Sequence, residues 1–265
     1  MEELTMQTLK PAERWLLAKP DPADKIRLFC FPFAGGGASI YRGWSEEMPA
    51  GAGVYPIQLP GRENRLMESA IRDMDVLIEK ICEAIHPYLD RPFLFFGYSL
   101  GTKIAFELAR AVRRKWQLAP CGLLVAAGRA PHIPEPRPLY HLPEEEFVRE
   151  LRRFSGTPEA ILQSKELMNL FMPLLRADFT LDDTYRFTEE ELLECPISAF
   201  CGTRDPEASE EEMAAWARHT RGSFTLDMIE GEHFFLNSNR EQLLRLVFAI
   251  VAEQLEAAAS AGEQS

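Results

Sequence analysis

Residues 93–101 read FLFFGYSLG: four apolar residues, then Gly97-Tyr98-Ser99-Leu100-Gly101, followed by a segment in which Ile104, Ala105, Leu108, Ala109 and Val112 recur at three- and four-residue spacing. A short, unbroken apolar run is what a strand buried on both faces looks like, and the spacing that follows is that of a helix. The Gly-x-Ser-x-Gly between them is therefore predicted to sit on a sharp strand-to-helix turn. That context suits a nucleophilic serine. The backbone at such an elbow is strained, so the residues two places to either side must be small. The hydroxyl also emerges at a helix N-terminus, where the dipole favours developing negative charge.

The same alternation continues on both sides of this stretch. Ile26–Phe31 (IRLFCF), 54–59 (VYPIQL), 123–127 (LLVAA), 197–200 (ISAF) and Phe224–Ile229 (FTLDMI) read as strands. Met74, Leu77, Ile78, Ile81, Ile85 and Tyr88, and later Leu243, Val247, Ile250 and Val251, read as helices. Strands alternating with helices predict an α/β fold, a mostly parallel central sheet with helices on both faces. The core is expected over 26–128 and 196–256, after an N-terminal extension over 1–25. Residues 129–195 break the pattern. They begin with Pro131, Pro134, Pro136, Pro138 and Pro143 and continue as helical segments carrying Phe147, Leu151, Phe154, Leu167, Leu170, Phe171, Leu174 and Leu175, so a helical insertion is expected, placed as a lid. Residues 257–265 lose the amphipathic pattern and are expected to fray into a disordered tail.

With 265 residues and 46% hydrophobic side chains the chain can bury a substantial core, which excludes disorder as its main state. A net charge of −12 argues against nucleic acid as a partner. No run approaches the roughly 20 apolar residues of a membrane span, and the N-terminus opens with acids, so a cytoplasmic protein is expected. The five cysteines form no Cys-x-x-Cys pair and sit in or beside apolar runs, as buried reduced thiols do. No metal or cofactor pattern is present, and a monomer is expected.

A serine needs a base and the base an orienting acid, in the chain order Ser, Asp or Glu, His for this kind of sheet. His233, in Gly231-Glu232-His233-Phe234-Phe235 between the last strand and last helix, is the expected base; His86, His132, His141 and His219 read as surface or capping residues. Asp205, in the loop after the strand at 197–200, is the expected acid. The loop after 123–127 offers no carboxylate, and Asp178, Asp182 and Asp183 read as solvated charges on the insertion. Acyl transfer also needs oxyanion donors. Leu100 supplies one N–H by position, and the glycine-rich loop 31–37 (FPFAGGG) the other, with Ala34 ahead of Phe33. That loop lacks the Gly-Lys-Ser/Thr ending and the Gly-x-Gly-x-x-Gly spacing of nucleotide loops.

Taken together, FPFAGGGAS, LPGRENR, GYSLG, LRADF, CGTRD and GEHFFL, in that order between about Ile26 and Val251, resemble the type II thioesterases, stand-alone α/β-hydrolases that accompany polyketide synthases and nonribosomal peptide synthetases. The resemblance implies an α/β-hydrolase fold and hydrolysis of acyl groups held as thioesters on the phosphopantetheine arm of an acyl or peptidyl carrier protein, with no cofactor of its own. It implies Ser99 as nucleophile, Asp205 as acid, His233 as base, and Ala34 with Leu100 as oxyanion donors. Phe33, Tyr98, Phe147, Phe171 and Phe234 are the expected substrate contacts, with Phe154 and Phe179 as further candidates. Arg149, Arg152 and Arg153, or Lys165 and Arg176, are expected to offer a basic patch to an acidic carrier domain. Two positions depart from the pattern: Tyr98 stands where many relatives carry His, and Glu232 where a second Gly often precedes the histidine. A serine esterase acting on free esters, and a hydrolase-like protein that only binds, are the alternative readings.

Overall fold

Successive side chains of a strand point to opposite faces, and a sheet covered on both faces therefore needs strands that are apolar throughout. The structure, a computed structural model, describes residues 14–154 and 159–262, apart from the side chains of 153, 154, 160, 161, 261 and 262. Among the described residues six strands, β1 (Ile26–Phe31), β2 (Ala52–Pro56), β3 (Phe93–Tyr98), β4 (Gly122–Ala126), β5 (Ile197–Gly202) and β6 (Phe224–Ile229), form one parallel sheet in the order β2-β1-β3-β4-β5-β6. The helices are α1 (Met74–Ile85), α2 (Leu100–Trp116), α3 (Glu144–Phe154), α4 (Glu159–Gln163), α5 (Lys165–Asp183), α6 (Glu210–Ala214), α7 (Phe235–Ser238) and α8 (Arg240–Gly262). Phe29, Phe31, Phe93 and Phe95 pack with α1 and α2 on one face; Leu28, Cys30, Leu94 and Phe96 pack with Leu243, Val247 and Val251 of α8 on the other.

The strand order reverses between β1 and β3, whose onward connections diverge and leave a crevice beyond their carboxyl ends, where open α/β sheets place their ligands. The glycine-rich loop after β1 and the serine elbow after β3 meet there. Between β4 and β5, α3, α4 and α5 enclose a separate apolar cluster of Leu139, Phe147, Leu151, Leu162, Met168, Leu175 and Phe179, against which Ala34 of the glycine-rich loop packs.

β1 and β6 have the expected bounds, whereas the expected strand at 54–59 is displaced to Ala52–Pro56. Its register is set by pairing Ile26 with Ala52, and beyond Pro56 the chain turns to Leu16, which bridges Ile57. Trp15 and Leu16 of the N-terminal extension are buried and belong to the core. Residues 257–262, expected to fray, instead continue α8 to Gly262, because an alanine-rich segment keeps helical propensity without an apolar face; residues 263–265 of the expected tail lie outside the described residues. Cys30, Cys82, Cys195 and Cys201 are buried free thiols, and burial pushes Cys82 up to about 11 and Cys201 up to about 12, which makes them inert. No described helix is long and apolar enough to cross a membrane.

His219 is not the surface residue expected. It is 5% exposed, ringed by Phe106, Phe187 and Trp216, with Nε2 2.7 Å from His132 Nδ1. Burial, then the neighbouring His132, Arg218 and Arg110, push it from 6.5 down to about 4. Below pH 6.5 the unfolded chain takes up a proton that the folded protein declines until about 4, so this residue's contribution to stability is lost as pH falls through that window. Buried Asp183, pushed up to about 7 by desolvation and Asp182, acts with the opposite sign over the same range. The expected result is therefore a difference: the Tm of His219→Gln relative to the unmodified protein rises as pH is lowered from 6.5 to 4, read by thermal melts at matched pH.

Candidate active site

Ser99 adopts φ 53° and ψ −118°, a conformation that costs a non-glycine residue on the order of 1–3 kcal/mol. It is held there by its neighbours. Its N–H donates to the Ala126 carbonyl at 2.8 Å, and its carbonyl accepts from the Thr102 N–H at 2.9 Å and Thr102 Oγ1 at 2.7 Å. The two motif glycines are required by contact: a Cβ on Gly97 would collide with the Gly101 carbonyl, and one on Gly101 with the carbonyl of Phe31. The elbow thus projects the hydroxyl beyond the sheet at the N-terminus of α2.

His233 Nε2 lies 3.1 Å from Ser99 Oγ, and its Nδ1 lies 3.0 and 2.9 Å from the two oxygens of Asp205. The Asp205 carboxylate is completely buried, and Oδ1 also accepts the N–H groups of Glu207 at 2.8 Å and Ala208 at 3.2 Å. A buried carboxylate held by backbone donors on one side and facing Nδ1 on the other orients the imidazole and leaves Nε2 as acceptor for a serine proton. Tyr98, expected at the substrate, is instead fully buried beneath this loop. Its hydroxyl donates to the His233 carbonyl at 2.5 Å and accepts the Leu236 N–H at 3.2 Å. Burial raises its pKa well above the ordinary value, so it remains a donor. Tyr98→Phe removes both of these buried hydrogen bonds, at a cost of about 1–3 kcal/mol; the expected outcome is a lower Tm and a fall of about tenfold in kcat with little change in KM, read by melting and steady-state rates.

Across the crevice, Ala34 lies in the loop after β1 and Leu100 opens α2. Among the described residues neither backbone N–H has a protein acceptor. The loop is gripped from two directions. Gln58 accepts the Ala38 N–H at 2.7 Å and donates to the Arg62 carbonyl at 3.0 Å, while Glu63 Oε1 accepts from the Ser39 hydroxyl at 2.5 Å. From α5, Asp178 accepts the Gly35 N–H at 2.7 Å and both ends of the Arg62 guanidinium at 2.8 Å. The three aspartates of the insertion are thus not solvated charges. Asp178 is fully buried, Asp183 accepts the Leu139 and Tyr140 N–H groups, and Asp182 pairs with Lys103 at 2.5 Å. The sequence contained a sign of this: Asp178 stands three or four residues from Leu174, Leu175 and Leu181, on the apolar stripe of its helix.

Of the expected substrate contacts, Phe33, Phe171 and Phe234 are partly exposed. Phe33 packs edge-on to Phe234 at 5.0 Å, and Phe234 stands 5.1 Å from the His233 ring. Phe147 does not line the crevice: it is fully buried in the insertion, with Arg176 4.0 Å above its ring and Phe179 edge-on at 5.4 Å. Arg176 is thereby committed to Phe147 and to the Leu139 and Tyr140 carbonyls. Arg152 pairs with Glu159 at 3.4 Å, Arg149 is exposed, and the side chains of Arg153 and Phe154 lie outside the described residues. On the other side of Ser99 a cleft is lined by Thr102, Lys103, Arg129, Glu135 and Asp182. Glu135, Asp182 and Asp183 come within metal-ligating distance of one another. Each is already engaged, Glu135 by Arg129 at 2.8 Å, Asp182 by Lys103 and Asp183 by two backbone N–H groups.

Residues 26–251 match the family described as Thioesterase domain. A Brevibacillus parabrevis protein named linear gramicidin dehydrogenase LgrE is 43% identical over 239 residues, 88% of this chain and 91% of that one. No Gly-x-Gly-x-x-Gly dinucleotide fingerprint occurs in the present chain. Among solved structures, the RedJ thioesterase from the prodiginine biosynthetic pathway of Streptomyces coelicolor superimposes with a TM-score of 0.81 at 35% identity, covering 88% of each chain. The type II thioesterase BorB from the borrelidin biosynthetic cluster does so at 0.79 and 34%, covering 91% of this chain and 97% of its own. A parallel sheet carrying a serine elbow, matched over nearly its whole length by such proteins, places this chain in the thioesterase family, as a hydrolase of the α/β-hydrolase fold.

Proposed function

We propose that this protein hydrolyses acyl groups held as thioesters on the phosphopantetheine arm of acyl or peptidyl carrier proteins, removing stalled or wrongly loaded groups in polyketide or nonribosomal peptide synthesis, as a monomer in the cytoplasm. The observation that carries the reading is the unbroken chain from Ser99 Oγ through His233 to Asp205, at 3.1 and 2.9 Å, in a member of this family. Relatives named for biosynthetic pathways, among them RedJ and BorB, support a carrier-bound substrate class.

In this reading His233 Nε2 takes the Ser99 proton as Oγ adds to the thioester carbonyl. The N–H groups of Ala34 and Leu100 receive the oxyanion. Collapse expels the pantetheine sulfur, which needs little acid help because its thiol pKa is near about 8.5. The sulfur leaves with the proton His233 holds. Water, deprotonated by His233, then attacks the acyl-serine; free acid is released and Ser99 regains its proton. Nothing else is consumed. Phe234, beside the His233 ring, and Phe33, edge-on to Phe234, form the apolar wall of the substrate path.

The test is intact-protein mass spectrometry of acetyl- or propionyl-loaded carrier protein incubated with the enzyme, beside a Ser99→Ala control. Loss of the acyl mass with the unmodified enzyme alone is the expected result. Retention over a panel of acyl groups and carriers, with Ser99 still labelled by a fluorophosphonate and p-nitrophenyl esters turned over, would identify an esterase of free substrates instead.

A further inference from the structure

The Ala34 N–H can serve an oxyanion only while the segment from Ala34 to Gly36 keeps one orientation. Its backbone has little preference of its own: Gly35 sits at φ 80°, and two further glycines follow. Two buried charged side chains supply what the backbone lacks. Asp178 Oδ2 accepts the Gly35 N–H at 2.7 Å, and the Arg62 fork closes on both Asp178 oxygens at 2.8 Å while its Nη1 also donates to the Gly36 carbonyl at 2.9 Å. Successive residues of the loop are thus held at opposite polarity by one ion pair. Leu175, one turn before Asp178 on α5, lies 2.7 Å from where a Gly35 Cβ would stand, so loop and helix are in direct contact.

A pair this buried, with Asp178 at 0% and Arg62 at 3% exposure, is poor evidence for a stabilising role, because desolvation offsets most of its attraction. What it does provide is direction. Among the described residues, the partners of these two side chains beyond the pair itself are backbone groups of Gly35 and Gly36, next to Ala34, and of Pro60, two residues before Arg62. We propose that Arg62 and Asp178 are positioning residues that hold the Ala34 N–H toward Ser99, so that the helical insertion takes part in the reaction through a carboxylate on α5. The proposal rests on the acyl-transfer reading of the site.

The experiment compares Asp178→Asn and Arg62→Lys with the unmodified enzyme on acyl-loaded carrier protein and on p-nitrophenyl butyrate. It adds the inhibition constants of a trifluoromethyl ketone, which forms a tetrahedral oxyanion on Ser99, and of the carboxylic acid product, which does not. Losing one whole oxyanion donor costs roughly 10²–10³ in kcat; misorienting it is expected to cost about 10- to 100-fold, with KM within about twofold. Trifluoromethyl ketone affinity should fall by the same factor and product affinity should not. Arg62→Lys keeps the charge and loses the fork, and so remains readable if Asp178→Asn does not fold. Folded variants with unchanged kcat, or with kcat reduced and ketone affinity intact, overturn the proposal, as does unfolding of both variants, which would assign the pair to the fold. Failure of the unmodified enzyme on the carrier substrate alone would count against the carrier reading, while the ester series still decides this one. Failure on both substrates overturns both.

Discussion

Replacing Ser99 with alanine is expected to lower kcat for a carrier-bound thioester by about 10⁶-fold, the scale of loss when the serine of such a relay is removed. The size follows from how little else in the crevice can attack a carbonyl. His233 Nε2, 3.1 Å from Ser99 Oγ, would face a methyl group, and the covalent route would be closed. What remains is binding and the backbone N–H groups of Ala34 and Leu100, worth about 10³-fold over water in comparable sites. The fold should tolerate the change. The elbow is held by the Ser99 N–H and carbonyl, bonded to Ala126 and Thr102, and neither bond uses the hydroxyl. A Tm within about 2–4 °C of the unmodified protein, with loss of both thiol release and fluorophosphonate labelling, is the expected combination. Turnover at the unmodified rate would remove Ser99 from its role.

The parts of this molecule legible in the sequence are those fixed by short-range rules. The elbow could be located because Gly97 and Gly101 answer to contacts with Gly101 and Phe31 that any residue with a Cβ would violate. β1 and β6 follow their apolar runs. Asp205 and His233 were legible because the carboxyl ends of parallel strands converge on one crevice, whatever the intervening sequence. The failures share a cause. Asp178, Tyr98, Phe147 and His219 take their roles from partners 143, 135, 32 and 87 residues away in sequence, and spacing along the chain is silent about such pairs. Asp178 looked solvated because a carboxylate on a helix usually is; the buried guanidinium of Arg62 and the Gly35 N–H make its position tolerable. Tyr98 looked like a substrate contact because it adjoins the serine, although the strand's alternation turns it to the opposite face, under the histidine loop. Phe147 carried the apolar character of a channel wall but spends it within the insertion's own cluster.

Asp205→Asn is the second change with a large expected effect, about 10⁴-fold in kcat, and it separates orientation from charge more sharply than alanine would. In the structure Oδ1 accepts from the Glu207 and Ala208 N–H groups while both oxygens face His233 Nδ1 at 3.0 and 2.9 Å. An asparagine keeps its one oxygen for the backbone donors, so its amide nitrogen is turned toward the ring. That nitrogen donates, which forces the imidazole proton onto Nε2. The N–H then points at Ser99 Oγ across the 3.1 Å gap and cannot accept the serine proton. The imidazolium that forms during attack also loses the buried negative charge that faces its Nδ1. Substrate binding involves neither effect, so KM should hold while kcat and the rate of fluorophosphonate labelling fall together. Melting should change little, because size and backbone bonds are retained. A variant that labels and turns over as fast as the unmodified enzyme would mean that another carboxylate orients His233. None of the insertion's candidates is placed to do so, since Asp178, Asp182 and Asp183 are committed to Arg62, Lys103 and the Leu139 and Tyr140 N–H groups.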